Sequence, residues 1–118
     1  MLWHDIASID DLVANSGVCA LVENKQVALF YLPDESTPVF AIDNYDPIGE
    51  ANVLSRGIIG TVQGQLVVAS PLYKQHFCLH TGHCLEQTDK SVSTYTVKID
   101  NDRVFIAGQA CAEQTSAA

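Results

Sequence analysis

With 118 residues, the chain has the length of one domain that can bury a core without disulfides or a structural metal. Its net charge is −8 and it has only six lysines and arginines, so few cations can replace the counterions around phosphates. Nucleic acid and anionic membrane are therefore excluded as expected partners. A small anionic substrate would also be repelled at long range.

The N-terminal segment carries acidic residues, Asp5, Asp10 and Asp11, where a signal peptide would carry cations. The longest apolar run, residues 27–32, is far shorter than the roughly 20 residues of a membrane-spanning helix. These features predict a cytoplasmic protein. Its four cysteines are then expected to be reduced thiols, and their spacing contains no Cys-x-x-Cys pair.

Apolar and polar residues alternate along most of the chain, which predicts short β-strands. In chain order, strands are expected at residues 2–6, 18–22, 26–32, 39–42, 61–68 with a turn at Gly64, 95–99 and 104–106. Ser8 followed by Asp11 has the form of a capping box and opens one short helical turn. Hairpin turns are expected at residues 23–25 and 100–103. The predicted fold class is all-β, a small barrel or sandwich of antiparallel strands.

Two loops are expected to project from this scaffold. The first, residues 43–60, contains Pro47, Gly49, Gly57 and Gly60, which favour a shaped loop over a helix. The second, residues 70–84, begins where Pro71 removes a backbone donor and so ends a strand. Residues 1–108 are predicted to form one domain, and residues 109–118, rich in Ala, Ser and Gln, a disordered tail.

The two loops resemble those of the Rieske family, which grip an iron–sulfur cluster. In that family the first loop reads Cys-x-His-x-Gly and then Leu-Ser-x-Gly, and the second reads Cys-Pro-x-His-Gly, then Phe and Thr-Gly. Here Val53-Leu54-Ser55-Arg56-Gly57 is similar to the end of the first, and residues 70–77 with Thr81-Gly82 are similar to the second. The resemblance implies a Rieske-like fold over nearly the whole chain.

That resemblance places the four ligand positions on Pro47, Gly49, Ser70 and Tyr73. A Rieske centre needs two thiolates on one iron and two imidazoles on the other. None of the four residues supplies either group. We therefore expect a degenerate site and no cofactor in this chain.

Among Rieske-like chains without ligands, ANVLSRG at residues 51–57 and ASPLYKQHFCLHTGHCLE at residues 69–86 resemble the small subunits of assimilatory NAD(P)H-dependent nitrite reductases. The resemblance implies a large partner subunit that carries FAD, siroheme and iron–sulfur chemistry and reduces nitrite to ammonium in the cytoplasm. This chain would then be an accessory subunit of an oxidoreductase in nitrate assimilation, not catalytic alone.

A surface for that partner is predicted at the tips of the two loops. We name Arg56, Tyr73, Lys74, Gln75 and His76 the docking tip, because they combine cations, an aromatic ring and hydrogen-bonding groups. Aromatic residues are enriched at interfaces, and binding residues concentrate on loops held by a rigid scaffold. The alternative is that Tyr73 and His76 only cap the core while Lys74 is solvated.

Two other functions use the crowded segment after the docking tip. Cys78, His80, His83 and Cys84 supply four ligands that suit Zn²⁺, so a small zinc-binding or [2Fe-2S] electron-transfer protein is the alternative function. Against zinc, the last two ligands are adjacent, which strains tetrahedral geometry. A thiol redox protein using Cys78 and Cys84 lacks the helix N-terminus and cationic neighbours that lower a thiol pKa.

Overall fold

The computed structural model describes residues 3–107, in which the regular secondary structure is nearly all β-strand. The strands are β1 (Trp3–Ser8), β2 (Ser16–Val22), β3 (Lys25–Tyr31), β4 (Val39–Asp43), β5 (Tyr45–Asp46), β6 (Ala51–Asn52), β7 (Ile58–Val62), β8 (Gln65–Ala69), β9 (His76–Cys78), β10 (Thr94–Asp100) and β11 (Arg103–Ala107). Single 3₁₀ turns occupy Ile9–Asp11 and Leu54–Arg56. The predicted tail, residues 109–118, lies outside the described residues.

Six strands form one curled antiparallel sheet in the order β1-β11-β10-β4-β3-β2. Its edge strands β1 and β2 approach each other, and His4 Nε2 lies 3.3 Å from Glu23 Oε2 where they meet. A second sheet has the order β7-β8-β9, and β5 pairs with β6 inside the first loop. The predicted all-β class of antiparallel strands is confirmed, with two loops leaving the sheets.

Three hairpins are closed by two-residue turns in which both residues have positive φ. These turns are Glu23–Asn24 (φ 50° and 68°), Gln63–Gly64 (53° and 78°) and Asn101–Asp102 (52° and 62°). Positive φ at both turn residues matches the right-handed twist of the flanking strands. Ser8 and Asp11 form the predicted capping box, since the Ser8 N–H donates to Asp11 Oδ2 at 2.9 Å.

The central strands β3 and β4 bury both of their faces, which explains the unbroken apolar run in β3. On β3, Val27 and Leu29 pack inside the curled sheet with Val104, while Ala28 and Phe30 pack under the second sheet. The second cluster joins the sheets to the loops and contains Leu32, Phe40, Ile42, Leu54, Val68, Phe77, Leu79, Cys84 and Val92. The loops therefore rest on a rigid, fully packed base.

The boundaries of both loops differ from the predicted ones. The first loop contains the β5–β6 pair and ends at Gly57, because β7 begins at Ile58 and pairs with Ala69. The second loop contains β9, whose Phe77 pairs with Val68 on one side and bridges to Cys84 on the other. Each of these pairings is non-local, so alternation within the segment alone did not reveal it.

Candidate functional site

Asn44 fixes the first loop to the sheet from a buried position. Its side-chain oxygen accepts from the Ser55 N–H at 2.7 Å, and its Nδ2 donates to Gln26 Oε1 at 2.9 Å. Its backbone oxygen also accepts from the Leu54 N–H at 3.0 Å. One amide therefore joins the start of the loop, the end of the loop and strand β3.

The residue before it, Asp43, fastens the same loop to strand β10. Tyr95 donates its hydroxyl to Asp43 Oδ1 at 2.5 Å, and Lys25 Nζ lies 3.5 Å from that oxygen. Burial, then the hydrogen bond and negative charge of Asp43, raise the pKa of Tyr95 far above its ordinary value. The first loop thus leaves the sheet from an anchored residue.

Asp46, in the first loop, is fully buried and its carboxylate accepts three hydrogen bonds. Its Oδ1 accepts from the backbone N–H groups of Ile48 at 2.8 Å and Gly49 at 3.1 Å. Its Oδ2 accepts from the Ser70 hydroxyl at 2.5 Å, which connects the first loop to the second. A buried carboxylate needs such donors, because burying a charge without partners is costly.

Ser70 organises the start of the second loop and is also fully buried. Its backbone N–H donates to the Gln75 oxygen at 2.9 Å, and its backbone oxygen accepts from the Lys74 N–H at 3.0 Å. Its hydroxyl oxygen accepts from the Leu72 N–H at 3.2 Å. Lys74 takes the left-handed conformation, with φ 66°, so the chain reverses direction tightly at residues 70–75.

The residues at the four ligand positions do not fit a Rieske cluster. Ser70 donates to a carboxylate, Tyr73 is 64% exposed, and Pro47 and Gly49 have no ligand group. The space beside Gly49 is filled by protein, since a Cβ built there would lie 2.4 Å from Leu72 Cδ1. A side chain at position 49 would therefore displace the end of Leu72.

The four residues considered for zinc are separated in the structure. Cys78 and Cys84 are buried, whereas His80 and His83 are exposed. Cys84 bridges to Phe77 and packs in the core with it, and the alternation of strand side chains sends the neighbouring Cys78 to the opposite face. Within residues 3–107, no three His, Cys, Asp or Glu side chains are grouped to hold a metal ion.

Three residues of the docking tip are exposed to solvent, and the other two face the rest of the protein. Arg56, Tyr73 and Lys74 are exposed, as its predicted role requires. Two further large side chains of the loops are exposed, Tyr45 at 45% and Leu72 at 44%. The exposed surface is therefore more apolar than the sequence analysis predicted.

Gln75 and His76 face the protein more than the prediction assumed. Gln75 Oε1 is buried and finds no hydrogen-bond partner among the described residues. His76 Nδ1 lies 2.5 Å from Glu86 Oε2, and its backbone N–H donates to Glu86 Oε1 at 2.8 Å. Burial acts to raise the pKa of Glu86, but the His76 N–H and imidazole outweigh it and hold that pKa below its ordinary value.

The cations of the docking tip have no carboxylate partners among the described residues. Neither Arg56 nor Lys74 lies in an ion pair there. By contrast, Lys25 pairs with Asp43 and Arg103 pairs with Asp5. Arg56 and Lys74 are thus two of the six basic residues of the chain, and their charges remain available to a partner.

The sequence analysis missed Asn44, Asp46 and Leu72. Asn and Asp side chains commonly bond to backbone N–H groups two or three residues on, so the Asn-Tyr-Asp-Pro run was the available signal. Leu72 gave no signal, because the glycine that it covers is far away in the sequence.

Comparison with known proteins places the chain in a family. The profile of the Rieske-like [2Fe-2S] domain matches residues 2–107. The nitrite reductase (NADH) small subunit of Escherichia coli K12 is 48% identical over 106 residues, which cover 90% of this chain and 97% of that protein. The chain belongs to the nitrite reductase small-subunit family, within the Rieske-like domains.

Two further relatives add to this family assignment. The NMR structure of the Escherichia coli protein NirD superposes with a TM-score of 0.81 at 45% identity, covering 91% of this chain and 97% of that one. A Klebsiella oxytoca nitrite reductase [NAD(P)H] large subunit contains a stretch 37% identical over 107 residues, 91% of this chain but 11% of that protein. A domain like this family's small subunit thus also occurs inside a large subunit.

Among the described residues, no helix has the length and apolar character needed to cross a membrane.

Proposed function

We propose that this chain is the accessory small subunit of a cytoplasmic NAD(P)H-dependent nitrite reductase in nitrate assimilation. It docks on the large catalytic subunit, which carries the FAD, siroheme and iron–sulfur chemistry and reduces nitrite to ammonium. The chain itself carries no cluster. The observation that supports this most is the 48% identity to a nitrite reductase small subunit over 97% of its length.

The cluster-free part of the proposal is supported by what occupies the ligand positions. Two iron ions need two thiolates and two imidazoles, and the structure has instead a serine bonded to Asp46 and a glycine covered by Leu72. The alternative, a [2Fe-2S] or zinc electron-transfer protein, would need ligands that the loops do not bring together.

The docking part is supported by the Klebsiella oxytoca large subunit, in which a similar domain belongs to the same polypeptide. A domain that is covalently joined to a large subunit in one protein is expected to associate with it as a separate chain in another. The docking tip supplies a suitable surface, since Tyr73 offers an exposed ring and Arg56 and Lys74 offer unpaired charge.

The test uses the purified chain and its large subunit. We expect the chain to increase NADH-dependent nitrite consumption by the large subunit and to bind it with a measurable Kd. Lys74→Glu and Arg56→Glu should each weaken binding about ten-fold. Lys90→Glu is the matched control, because Lys90 is also exposed and outside any ion pair of the described region, but lies on neither loop.

Two results would contradict the proposal. If the large subunit consumes nitrite equally fast with and without the chain, the accessory role is wrong. If Lys90→Glu weakens binding as much as Lys74→Glu and Arg56→Glu do, the docking tip is not the binding surface. Iron and labile sulfide assays on the purified chain test the proposal that it carries no cluster. Two iron ions per chain, with the absorbance of a [2Fe-2S] centre, would favour the electron-transfer alternative.

A further inference from the structure

The two loops are joined internally by the hydrogen bond between Asp46 and Ser70. Both residues are fully buried, and the Ser70 hydroxyl lies 2.5 Å from Asp46 Oδ2. The other carboxylate oxygen is held by the N–H groups of Ile48 and Gly49, so the carboxylate has a fixed direction. A charge-assisted hydrogen bond of this kind is about twice as strong as one between neutral groups.

The contact joins two segments on which the resemblance to Rieske loops places cluster ligands. Ser70 is one of the four ligand positions, and the Gly49 N–H that Asp46 binds belongs to another. Asp46 and Ser70 are separated by 24 positions in the sequence. A side-chain hydrogen bond therefore connects the same two chain segments that a cluster would connect.

The shape of the docking tip is set from Ser70. Three hydrogen bonds tie the segment to this residue: Leu72 N–H to its hydroxyl oxygen, Lys74 N–H to its carbonyl oxygen, and its own N–H to the Gln75 oxygen. Lys74 is held at φ 66°, a left-handed backbone conformation that is unfavourable for a non-glycine residue. A residue stays in that conformation because its surroundings fix it.

We propose that the Asp46–Ser70 hydrogen bond is a positioning contact that keeps the docking tip in the conformation that the large subunit binds. The inference rests on the proposed function, since it assigns a role to the docking tip in that association. A fixed loop loses less conformational freedom on binding than a mobile one, so removing the contact weakens the complex without touching the interface.

The experiment compares three full-length variants. Ser70→Ala removes the hydroxyl and should weaken binding to the large subunit about ten-fold. It should also speed amide hydrogen exchange in the free protein at residue 72, which loses its acceptor, and at residue 74, whose backbone acceptor remains and which therefore reports on the loop's conformation. Asp46→Asn should bind within about two-fold of wild type, because its oxygen can still accept from Ile48 and Gly49 and its Nδ2 can donate to the Ser70 oxygen. Ser91→Ala, an exposed serine outside both loops, is the control.

The outcomes separate this inference from the proposed function. If wild type binds and Ser70→Ala binds equally well, the positioning role is wrong while the docking proposal stands. If Ser70→Ala binds weakly but its exchange rises throughout the protein, it has lost global stability and the positioning role is again wrong. If wild type does not bind, the docking proposal fails. The inference is supported if Ser70→Ala binds weakly with faster exchange confined to residues 72 and 74, while Asp46→Asn binds nearly as well as wild type.

Discussion

The two loops are built in opposite ways. In the first loop, Asn44 and Asp46 are buried and turn their side chains onto the loop's own backbone. In the second, residues 71–74 are all exposed, and the bonds that shape the segment converge on Ser70. The first loop therefore acts mainly as a support, although it adds Arg56 to the docking tip, and the second supplies the exposed run of side chains. We therefore expect substitutions in the first loop to change mainly the free energy of unfolding, and substitutions in the second loop to change mainly the affinity for the large subunit.

The largest effect predicted from this comparison is on stability, at Asn44. Asn44→Ala leaves the Ser55 N–H and the Gln26 side chain without their partner in a partly buried site, so it should lower the free energy of unfolding by about 3 kcal/mol. Urea denaturation measures the change. Asn52→Ala, an exposed residue of the same loop, is the control and should stay within about 0.5 kcal/mol of wild type.

A smaller effect of opposite sign is predicted in the second loop. Lys74→Gly relieves a left-handed backbone, so it should raise the free energy of unfolding by about 0.5–1 kcal/mol. The same change removes a cation of the docking tip and should weaken binding to the large subunit. Lys90→Gly, which has no positive φ to relieve, should give no gain. Stabilisation together with tighter binding would contradict the separation of roles.

The smallest predicted effect is a pH dependence of stability. It arises at the contact between Glu86 and His76, the first residue of β9. The pKa of Glu86 is lowered in the folded protein, so its contact with His76 stabilises the fold above the ordinary glutamate pKa of about 4.3. That contribution is lost as pH falls through the lowered value. The difference in Tm between wild type and Glu86→Gln should therefore be present at pH 6 and shrink below about pH 4.

A thermal melt series across that pH range checks this prediction. Glu50→Gln is the control, because Glu50 is an exposed carboxylate of the first loop. Its difference from wild type should not follow the Glu86 curve. A Glu86 difference that grows on acidification would show that the sign is wrong.

Local patterns were sufficient to predict most of the scaffold. Alternation and turn residues located the hairpins, because a two-residue turn such as Asn101–Asp102 is specified by its own residues. The capping box at Ser8 followed the same logic. The early start of β7 at Ile58 was missed, since that residue is mostly exposed and joins the strand only through its pairing with Ala69.

The hydrogen bonds and contacts inside the two loops were not predictable from the sequence. The resemblance to Rieske loops located Ser70 and Gly49, but not what they contact. The carboxylate of Asp46 and the side chain of Leu72 reach them across a fold that brings distant segments together. Contacts of this kind depend on the register of two sheets, which the composition of either loop does not encode.

The leucine over Gly49 limits any attempt to engineer a metal centre on this scaffold. Replacing Pro47, Gly49, Ser70 and Tyr73 with cysteines and histidines would introduce the ligands into a volume that Leu72 already fills, with a Cβ at Gly49 only 2.4 Å from its Cδ1. A design that introduces iron must also move the half-exposed side chain of Leu72 and give Asp46 a new hydrogen-bond donor. Building a cluster site on these loops therefore involves more positions than the coordinating ones.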